Sequence, residues 1–190
     1  MGDPDSPRDG YSYRGHMTGN HASRITRGEV SMDYTLKYAP AVDSAALADK
    51  VRVLFLNQPL AVLSTHADGH PHCSLIAFAS TEDLSTLLFA TTRATRKYAN
   101  IVKDPRISLL IDNRSNKVSD FHDAMAVTVI GTACEVSSDD RPSYLPLYLS
   151  KHPHLEDFVA APSSALIGVT VDTYEIVTRF QHVIKLHMKQ

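Results

Sequence analysis

The sequence predicts a mainly β fold, in which six to seven antiparallel strands close into a barrel decorated with small helices. Short apolar segments recur from residue 60 to residue 180, and most are separated by only a few turn residues. Helical spacing of apolar residues is confined to three short segments, residues 43–58, 96–102 and 137–159. Short connections favour antiparallel neighbours, and closure into a barrel removes exposed strand edges.

The first element is a helix that begins at Asp43 or Ser44, because either side chain can cap it. Its apolar positions follow at helical spacing, and Gln58 and Pro59 end it. A β-hairpin comes next, with strands at residues 60–65 and 72–79 and a turn at Asp68-Gly69.

The middle of the chain alternates strands with short polar connections. A turn at residues 81–85 precedes a third strand at residues 86–91. A short helix over residues 96–102 ends before Pro105, because the residue before a proline disfavours helical geometry. The fourth strand covers residues 106–111.

The last third begins with a polar loop at residues 113–123. A long strand at residues 124–136 contains Gly131, where a bulge or bend is expected. A helical insertion starts at residues 137–140, with Pro142 in its first turn, and ends at Val159. Residues 165–171 and 174–180 are predicted to form a final pair of strands.

Composition and charge exclude several classes of protein. The chain has 190 residues, 43% of them hydrophobic, which suffices for one domain with a core. The formal net charge of −2 gives no overall field for nucleic acid or an anionic membrane. We find neither a secretory signal nor a stretch of ~20 apolar residues, so the predicted location is cytoplasmic, without membrane association. Cys73 and Cys134 lie in predicted strands and are expected to be buried, reduced thiols.

The polar start of the chain is predicted to be separate from the barrel. Residues 1–33 are rich in Gly, Asp, Ser, Arg and His and contain few apolar side chains. We therefore divide the chain into an N-terminal arm, residues 1–40, and a barrel domain, residues 41–190.

An unusual arrangement of charge marks the start of the short helix. Arg96 and Lys97 follow Thr95 there, and Arg93 lies just before them. The free N–H groups at a helix start carry partial positive charge, so nearby cations raise the energy. A bound phosphate offsets this cost, because it accepts from hydroxyls, N–H groups and cations together. The alternative is a solvated basic turn that binds nothing.

The order of these elements and three short segments together resemble those of a known family. The segments are Thr91-Thr92, Thr-Arg-Lys-Tyr from Thr95 and Asp-Pro-Arg-Ile from Asp104. From about Ala46 to Leu186 the chain resembles the pyridoxamine 5'-phosphate oxidase-like, FMN-binding split-barrel family. The resemblance implies a split β-barrel of FMN-binding type and a homodimer with FMN at the subunit interface.

Carried over by position, the resemblance also implies which residues hold the cofactor. Thr95, Arg96 and Lys97 would bind the FMN phosphate, and Thr91 and Thr92 would lie beside the phosphate or the ribityl chain. The segment of residues 75–80 would run along the edge of the isoalloxazine ring. The full predicted set is Ile76, Ala77, Phe78, Ser80, Thr91, Thr92, Arg93, Thr95, Arg96 and Lys97. Asn100, one turn beyond Arg96, is expected to cap or pack.

Two features of the authentic pyridoxamine phosphate oxidases are missing from this chain, which argues against pyridoxamine phosphate as the substrate. The chain lacks an Arg-Leu-x-Pro type C-terminus, and no glutamine stands near Ala126. The predicted function is therefore an FMN-binding oxidoreductase that transfers hydride to or from an unidentified small molecule, with a nicotinamide coenzyme as reductant. No catalytic side chain is assigned, although Asn113, Arg114 and Arg179 are candidates for lining the substrate face.

Three alternatives stay open at this point. The chain could be a non-catalytic flavin carrier, a haem-binding or haem-degrading protein, or a user of a deazaflavin coenzyme. The haem alternative rests on ten histidines, with His182 and His187 near the C-terminus. The closest pairs, His70 with His72 and His152 with His154, lack the further ligands that a zinc site needs, so no metal is predicted.

Overall fold

The structure is a computed structural model that describes residues 44–178 and 183–188. The predicted arm, its boundary with the barrel domain, and the predictions for Asp43, Arg179 and His182 lie outside these residues.

Seven antiparallel strands form one sheet in the described part of the chain. They are β1 (Leu60–Ala67), β2 (His70–Ser80), β3 (Thr86–Thr92), β4 (Arg106–Asp112), β5 (Met125–Glu135), β6 (Ser164–Thr178) and β7 (Val183–His187). The order is β3-β2-β1-β4-β5-β6-β7, and β3 also pairs with β6. The first six strands therefore close into a barrel to which β7 adds an extra strand. The predicted mainly β split-barrel fold is confirmed.

Five α-helices accompany these strands in the described residues. They are α1 (Ser44–Asn57), α2 (Arg96–Lys103), α3 (Asp120–Asp123), α4 (Arg141–Lys151) and α5 (Glu156–Ala160). A 3₁₀ turn at Pro153–Leu155 joins α4 to α5, so the predicted insertion contains two short helices. The single turn α3 falls in what was predicted to be only a polar loop.

The predicted turn at Asp68-Gly69 and the predicted irregularity at Gly131 are both confirmed. Asp68 and Gly69 both have positive φ, 54° and 77°, as a two-residue hairpin turn requires. On β5 the register with β6 shifts between Ile130 and Gly131. A Cβ atom on Gly131 would lie 2.2 Å from the carbonyl oxygen of Thr170, so only glycine allows the strands to approach this closely.

The end of the chain departs from the prediction. The expected pair of strands at residues 165–171 and 174–180 is the single strand β6. Both halves of β6 pair with β5, and the bulge beside Gly131 absorbs the change of register. The first half of β6 closes the barrel on β3, whereas the second half pairs with β7, a strand that was not predicted.

Apolar side chains fill the barrel, and a second cluster lies between its outer face and the insertion. The interior contains Phe55 from α1 with Phe78, Phe89 and Tyr174 from the strands. The second cluster packs Tyr148 and Val159 against Leu88 and Leu166.

The prediction that both cysteines are buried is wrong. Cys73 and Cys134 are free thiols, and both are exposed. Successive side chains in a strand point to opposite faces, and Ala133, beside Cys134, faces the interior. Cys134 therefore faces outward, and Cys73 lies opposite Ser64 on the outer side of the β1–β2 pair.

One local feature positions the candidate site. β2 pairs with β1 up to Ala77 and with β3 only from Phe78 to Ser80. β3 continues to Thr92, paired there with β6 alone. The barrel is therefore split between the first half of β2 and the end of β3.

Candidate functional site

A cleft of about 290 Å³ opens where β2 and β3 stop pairing. We call it the β2–β3 cleft. Its walls come from β2, from β3 with the start of α2, and from the α4–α5 insertion. Its lining residues are Leu75, Ile76, Ala77, Ala90, Thr91, Thr92, Thr95, Lys97, Tyr148, Leu155 and Phe158. Six of the ten predicted cofactor residues are thus brought to one place.

Hydroxyl groups form one end of the cleft. Thr95 has extended backbone geometry at the N-cap of α2, and its Oγ1 accepts from the N–H of Tyr98 at 3.4 Å. The same hydroxyl donates to the Thr92 carbonyl at 2.9 Å and lies 2.9 Å from the hydroxyl of Thr91. Thr91 is only 3% exposed. These bonds hold the end of β3 and the start of α2 in one fixed arrangement.

The expected uncompensated positive charge is present beside these hydroxyls. The first turn of α2 contains no acidic residue. Arg96 is exposed and Lys97 is half-buried against the cleft. Within residues 44–178 and 183–188, no carboxylate forms an ion pair with either cation. The start of α2 therefore combines free N–H groups, hydroxyls and cations, as an anion site requires.

Arg93, also predicted to bind the cofactor, has partners within the protein. Its Nη1 donates to the carbonyls of Pro162 and Ser164 at 2.7 and 2.8 Å, while Nε and Nη2 donate to the Glu135 carboxylate. These hydrogen bonds raise the pKa of Arg93 and lower that of Glu135. Because the guanidinium is occupied and Arg93 does not line the cleft, the cations left for a ligand are Arg96 and Lys97.

Aromatic and aliphatic side chains of the insertion form another wall of the cleft. Tyr148 is 1% exposed, and its burial raises the pKa of its hydroxyl to about 12. Leu155 and Phe158 complete this wall. Tyr148 also belongs to the second apolar cluster, so it both packs the insertion against the barrel and lines the cleft.

Two side chains attach the insertion to the barrel beside the cleft. Lys151 Nζ donates to the carbonyls of Phe55 and Gln58 at 2.6 and 2.9 Å, and lies 3.9 Å from the centroid of the Phe78 ring. The buried ring of His152 bonds through Nε2 to the Phe78 carbonyl at 2.8 Å. A carbonyl only accepts, so Nε2 carries the proton. Sequence reasoning missed both roles, because the partners lie more than 70 residues away.

The remaining predicted residues are spread over other places. Phe78 lies in the barrel core, and Ser80 lies beyond the cleft at the end of β2. Asn100 packs as expected, donating to the Thr65 hydroxyl at 3.1 Å. Asn113 accepts from the N–H of Met125, and Arg114 pairs with Asp112. These two residues line other cavities, and neither lines the β2–β3 cleft.

The donor set of the β2–β3 cleft fits a phosphate ester that carries a flat apolar ring. Hydroxyls and Lys97 line part of the cleft, and the aromatic side chains of Tyr148 and Phe158 line another part. One buried polar group lies next to the cleft lining, although it does not itself line the cleft. Ser164 faces Thr92 across the β3–β6 ladder, and its buried hydroxyl lacks a hydrogen-bond partner in the described residues. Directly opposed residues share one face of a sheet, so this hydroxyl lies on the face that Thr92 presents to the cleft.

The described residues show neither a candidate metal site nor a candidate membrane-spanning helix. They contain no cluster of three or more His, Cys, Asp or Glu side chains that could hold a metal ion. None of their helices combines the length and the apolar character that crossing a bilayer demands.

Comparisons with known proteins place this site in context. The family model described as pyridoxamine 5'-phosphate oxidase matches residues 47–178. A search of curated proteins finds no significant match. Among solved structures, a haem-binding protein from Mycobacterium smegmatis superposes with a TM-score of 0.66 at 16% identity, covering 74% of this chain. The chain spans only 57% of that protein's length.

Two shorter proteins have the same fold. General stress protein 26 from Bacillus anthracis str. Sterne matches with a TM-score of 0.55 at 21% identity, over 75% of this chain and 98% of its own. A FAD-binding protein from Mesorhizobium loti matches with a TM-score of 0.55 at 15% identity, over 68% of this chain and 90% of its own. Similarity at this level of identity establishes the fold alone.

Proposed function

The chain belongs to the pyridoxamine 5'-phosphate oxidase family, and from that premise we propose that it is a flavoprotein that binds FMN in the β2–β3 cleft. The observation that carries this proposal is the chemistry of the cleft. Lys97, a cation without a carboxylate partner in the described residues, lines the cleft together with threonine hydroxyls and the aromatic side chains of Tyr148 and Phe158.

Each part of the cleft has a proposed role. Lys97, the Thr95 hydroxyl and the N–H groups at the start of α2 hold the phosphate, and the exposed Arg96 adds charge. Thr91 and Thr92 lie along the ribityl chain. Ile76 and Ala77 flank the ring along β2, and the wall that includes Tyr148 and Phe158 excludes water from it. Arg93 and Phe78 are not in this proposed set, because both have internal partners.

We propose that the protein acts as an oxidoreductase on an unidentified small molecule in the cytoplasm. Bound FMN supplies hydride transfer, so this chemistry needs no side-chain nucleophile. The protein contributes binding, orientation and exclusion of water. A nicotinamide coenzyme is the proposed reductant.

A homodimer is the second part of the proposal, and the outer face of the sheet supports it. Val62 lies between Leu75 and Leu110 in the ladders that join β1 to β2 and β4. Leu75 is 64% exposed, and Ile130 on β5 is 38% exposed. Leu75, Val62 and Leu110 form an apolar strip across three neighbouring strands, and Ile130 lies diagonally beside Leu110 on β5. An exposed apolar strip is typical of a protein interface. We propose that it packs against a second copy and brings the partner close to the cleft.

Light scattering tests the dimer. Ile130→Asp places a charge on the strip and should give monomers at concentrations where the unchanged chain is a dimer. Leu56→Asp changes a residue of α1 that is 78% exposed and should leave the dimer intact. An unchanged chain that is monomeric at all concentrations argues against this part of the proposal.

Absorbance and titration test the flavin itself. The protein, purified without added cofactor and then mixed with FMN, should show flavin bands after gel filtration and an affinity in the micromolar range or tighter. The absence of both results rejects the proposal. Bleaching of the bound flavin by a nicotinamide coenzyme under anaerobic conditions separates an oxidoreductase from a flavin carrier.

A haem-binding role is the second candidate, and one residue favours it. His187 on β7 is exposed, and its ring lies within hydrogen-bond distance of the Thr173 hydroxyl. A solved structure with the same fold is described as a haem-binding protein. Haem titration of the unchanged chain and of His187→Ala tests this candidate. The absence of a Soret shift in the unchanged chain dismisses it.

A further inference from the structure

One carboxylate holds both sides of the proposed phosphate site. Glu135, the last residue of β5, bonds to Arg93 and also accepts from the Tyr98 hydroxyl at 2.8 Å. Arg93 and Tyr98 flank the segment of residues 95–97, which contains the N-cap and both free cations. The segment is thus fixed at each end to a single side chain 37 to 42 residues away.

Arg93 also attaches this segment to the start of β6. Arg93 also donates to the carbonyls of Pro162 and Ser164, and Ser164 is the first residue of β6. Tyr98 packs against the barrel core, which fixes the first turn of α2 from the other side. Glu135 is a shared partner of Arg93 and Tyr98, and removing this carboxylate breaks a bond of each side chain.

We propose that Glu135 is a positioning residue for the anion site at the start of α2, so that an acidic side chain is required for binding an anionic phosphate. The inference rests on the proposed function, because the anion is the phosphate of FMN. Charge and geometry lead to opposite expectations for the removal of Glu135. Charge alone predicts tighter binding, since a negative group near the site is lost and Nε and Nη2 of Arg93 lose their partner. Positioning predicts weaker binding, since the N–H groups, Thr95 and Lys97 lose their fixed arrangement.

Fluorescence titration with FMN distinguishes these expectations. Glu135→Ala should weaken FMN affinity about tenfold, as expected for the loss of charge-assisted hydrogen bonds that order the site. Riboflavin, which lacks the phosphate, should bind the unchanged chain and the variant equally. Tyr98→Phe, which changes no charge, should weaken FMN by a smaller factor. Glu82→Gln removes an exposed carboxylate outside this network and is the control for net charge.

Hydrogen exchange in the absence of ligand provides an independent readout. Peptides that cover residues 91–98 should exchange faster in Glu135→Ala, while the β1–β2 hairpin exchanges as before. Glu135→Gln keeps an acceptor for Tyr98, so exchange at residues 91–98 should be intermediate between that of the unchanged chain and that of Glu135→Ala. This variant also provides the test if Glu135→Ala fails to fold.

The outcomes separate the two proposals. Equal or tighter FMN binding by Glu135→Ala, or unchanged exchange at residues 91–98, overturns the role of Glu135 while the flavin proposal stands. No FMN binding by the unchanged chain overturns both. Weaker FMN binding together with faster exchange at residues 91–98 supports the role of Glu135.

Discussion

The hydroxyl oxygens of Thr91 and Thr95 lie 2.9 Å apart, and this contact joins the end of a barrel strand to the cap of α2. Thr91 is buried, so its position is set by the barrel, and Thr95 in turn sets the start of the helix. The proposed phosphate site therefore depends on the barrel for its geometry.

The first prediction concerns this cap. Thr95→Ala removes the acceptor for the Tyr98 N–H and should lower the free energy of unfolding by about 1 kcal/mol. It should also weaken FMN binding, because the hydroxyl is part of the proposed site. Thr95→Ser keeps the oxygen and should retain most of both properties. Urea denaturation and FMN titration check the pair, and equal stability of Thr95→Ala and the unchanged chain contradicts the role of the cap.

The second prediction concerns the two cations at the start of α2. Lys97→Ala and Arg96→Ala should each weaken FMN binding by about 1–3 kcal/mol, since each removes a charge-assisted contact. Lys97 should have the larger effect, because it lines the cleft whereas Arg96 is exposed. Without ligand, both changes should be neutral or slightly stabilising, because a cation at a helix start opposes the helix dipole.

Lys103 offers a matched control in the last turn of the same helix. A cation there is favourable, so Lys103→Ala should slightly reduce stability and leave FMN binding unchanged. Calorimetric titration and urea denaturation of the three variants provide the comparison. A large loss of ligand-free stability in Lys97→Ala would indicate a structural role instead.

The third prediction concerns His152. Replacing it by Phe keeps a ring but leaves the Phe78 carbonyl without its partner, which should cost about 1–3 kcal/mol of stability. His152→Gln, which offers a donor, should recover part of this loss. The Phe variant should also weaken FMN binding, since Ile76 and Ala77 precede the released carbonyl on β2. Thermal unfolding measures the first effect, and a Phe variant as stable as the unchanged chain argues against it.

The fourth prediction is a pH dependence that originates from Lys151. Burial lowers the pKa of Lys151 to about 8, below its ordinary value of 10.5. Between these two values the unfolded chain binds more protons than the folded chain, so this group makes the folded state more stable as the pH rises. A neutral amine can still donate to the carbonyls of Phe55 and Gln58.

Lys151→Met removes the titrating group and should show a smaller rise in stability between pH ~8 and pH ~10 than the unchanged chain. Urea denaturation at several pH values measures both slopes, and other titrating groups cancel in the comparison. Identical slopes contradict the assignment.

Local patterns in the sequence identified much of the fold. Asp68 and Gly69 specify a tight hairpin turn, because few residues adopt a positive φ. Gly131 marks the bulge, because a Cβ atom there would meet the carbonyl oxygen of Thr170. The division of residues 165–180 into two strands was wrong, because whether a strand continues depends on its partner β5 and on the bulge there. β7 was not predicted for the same reason, because it depends on pairing with the second half of β6.

The candidate site was predictable where its residues are close in sequence. Thr91, Thr95 and Lys97 lie within seven positions, and their residue types suggest anion binding without any tertiary information. Arg93 has the same local signal but binds Glu135, and no spacing rule links residues 42 positions apart. The wall from the insertion and the bond from His152 to Phe78 depend in the same way on tertiary packing.

A comparison of FMN with riboflavin tests the central claim most directly. The two ligands differ only in the phosphate, so their affinities for the purified full chain isolate the contribution of the site at the start of α2. We predict micromolar or tighter binding of FMN and binding of riboflavin that is weaker by at least about tenfold, in line with the loss of charge-assisted hydrogen bonds. Equal affinities for the two ligands would contradict the phosphate site.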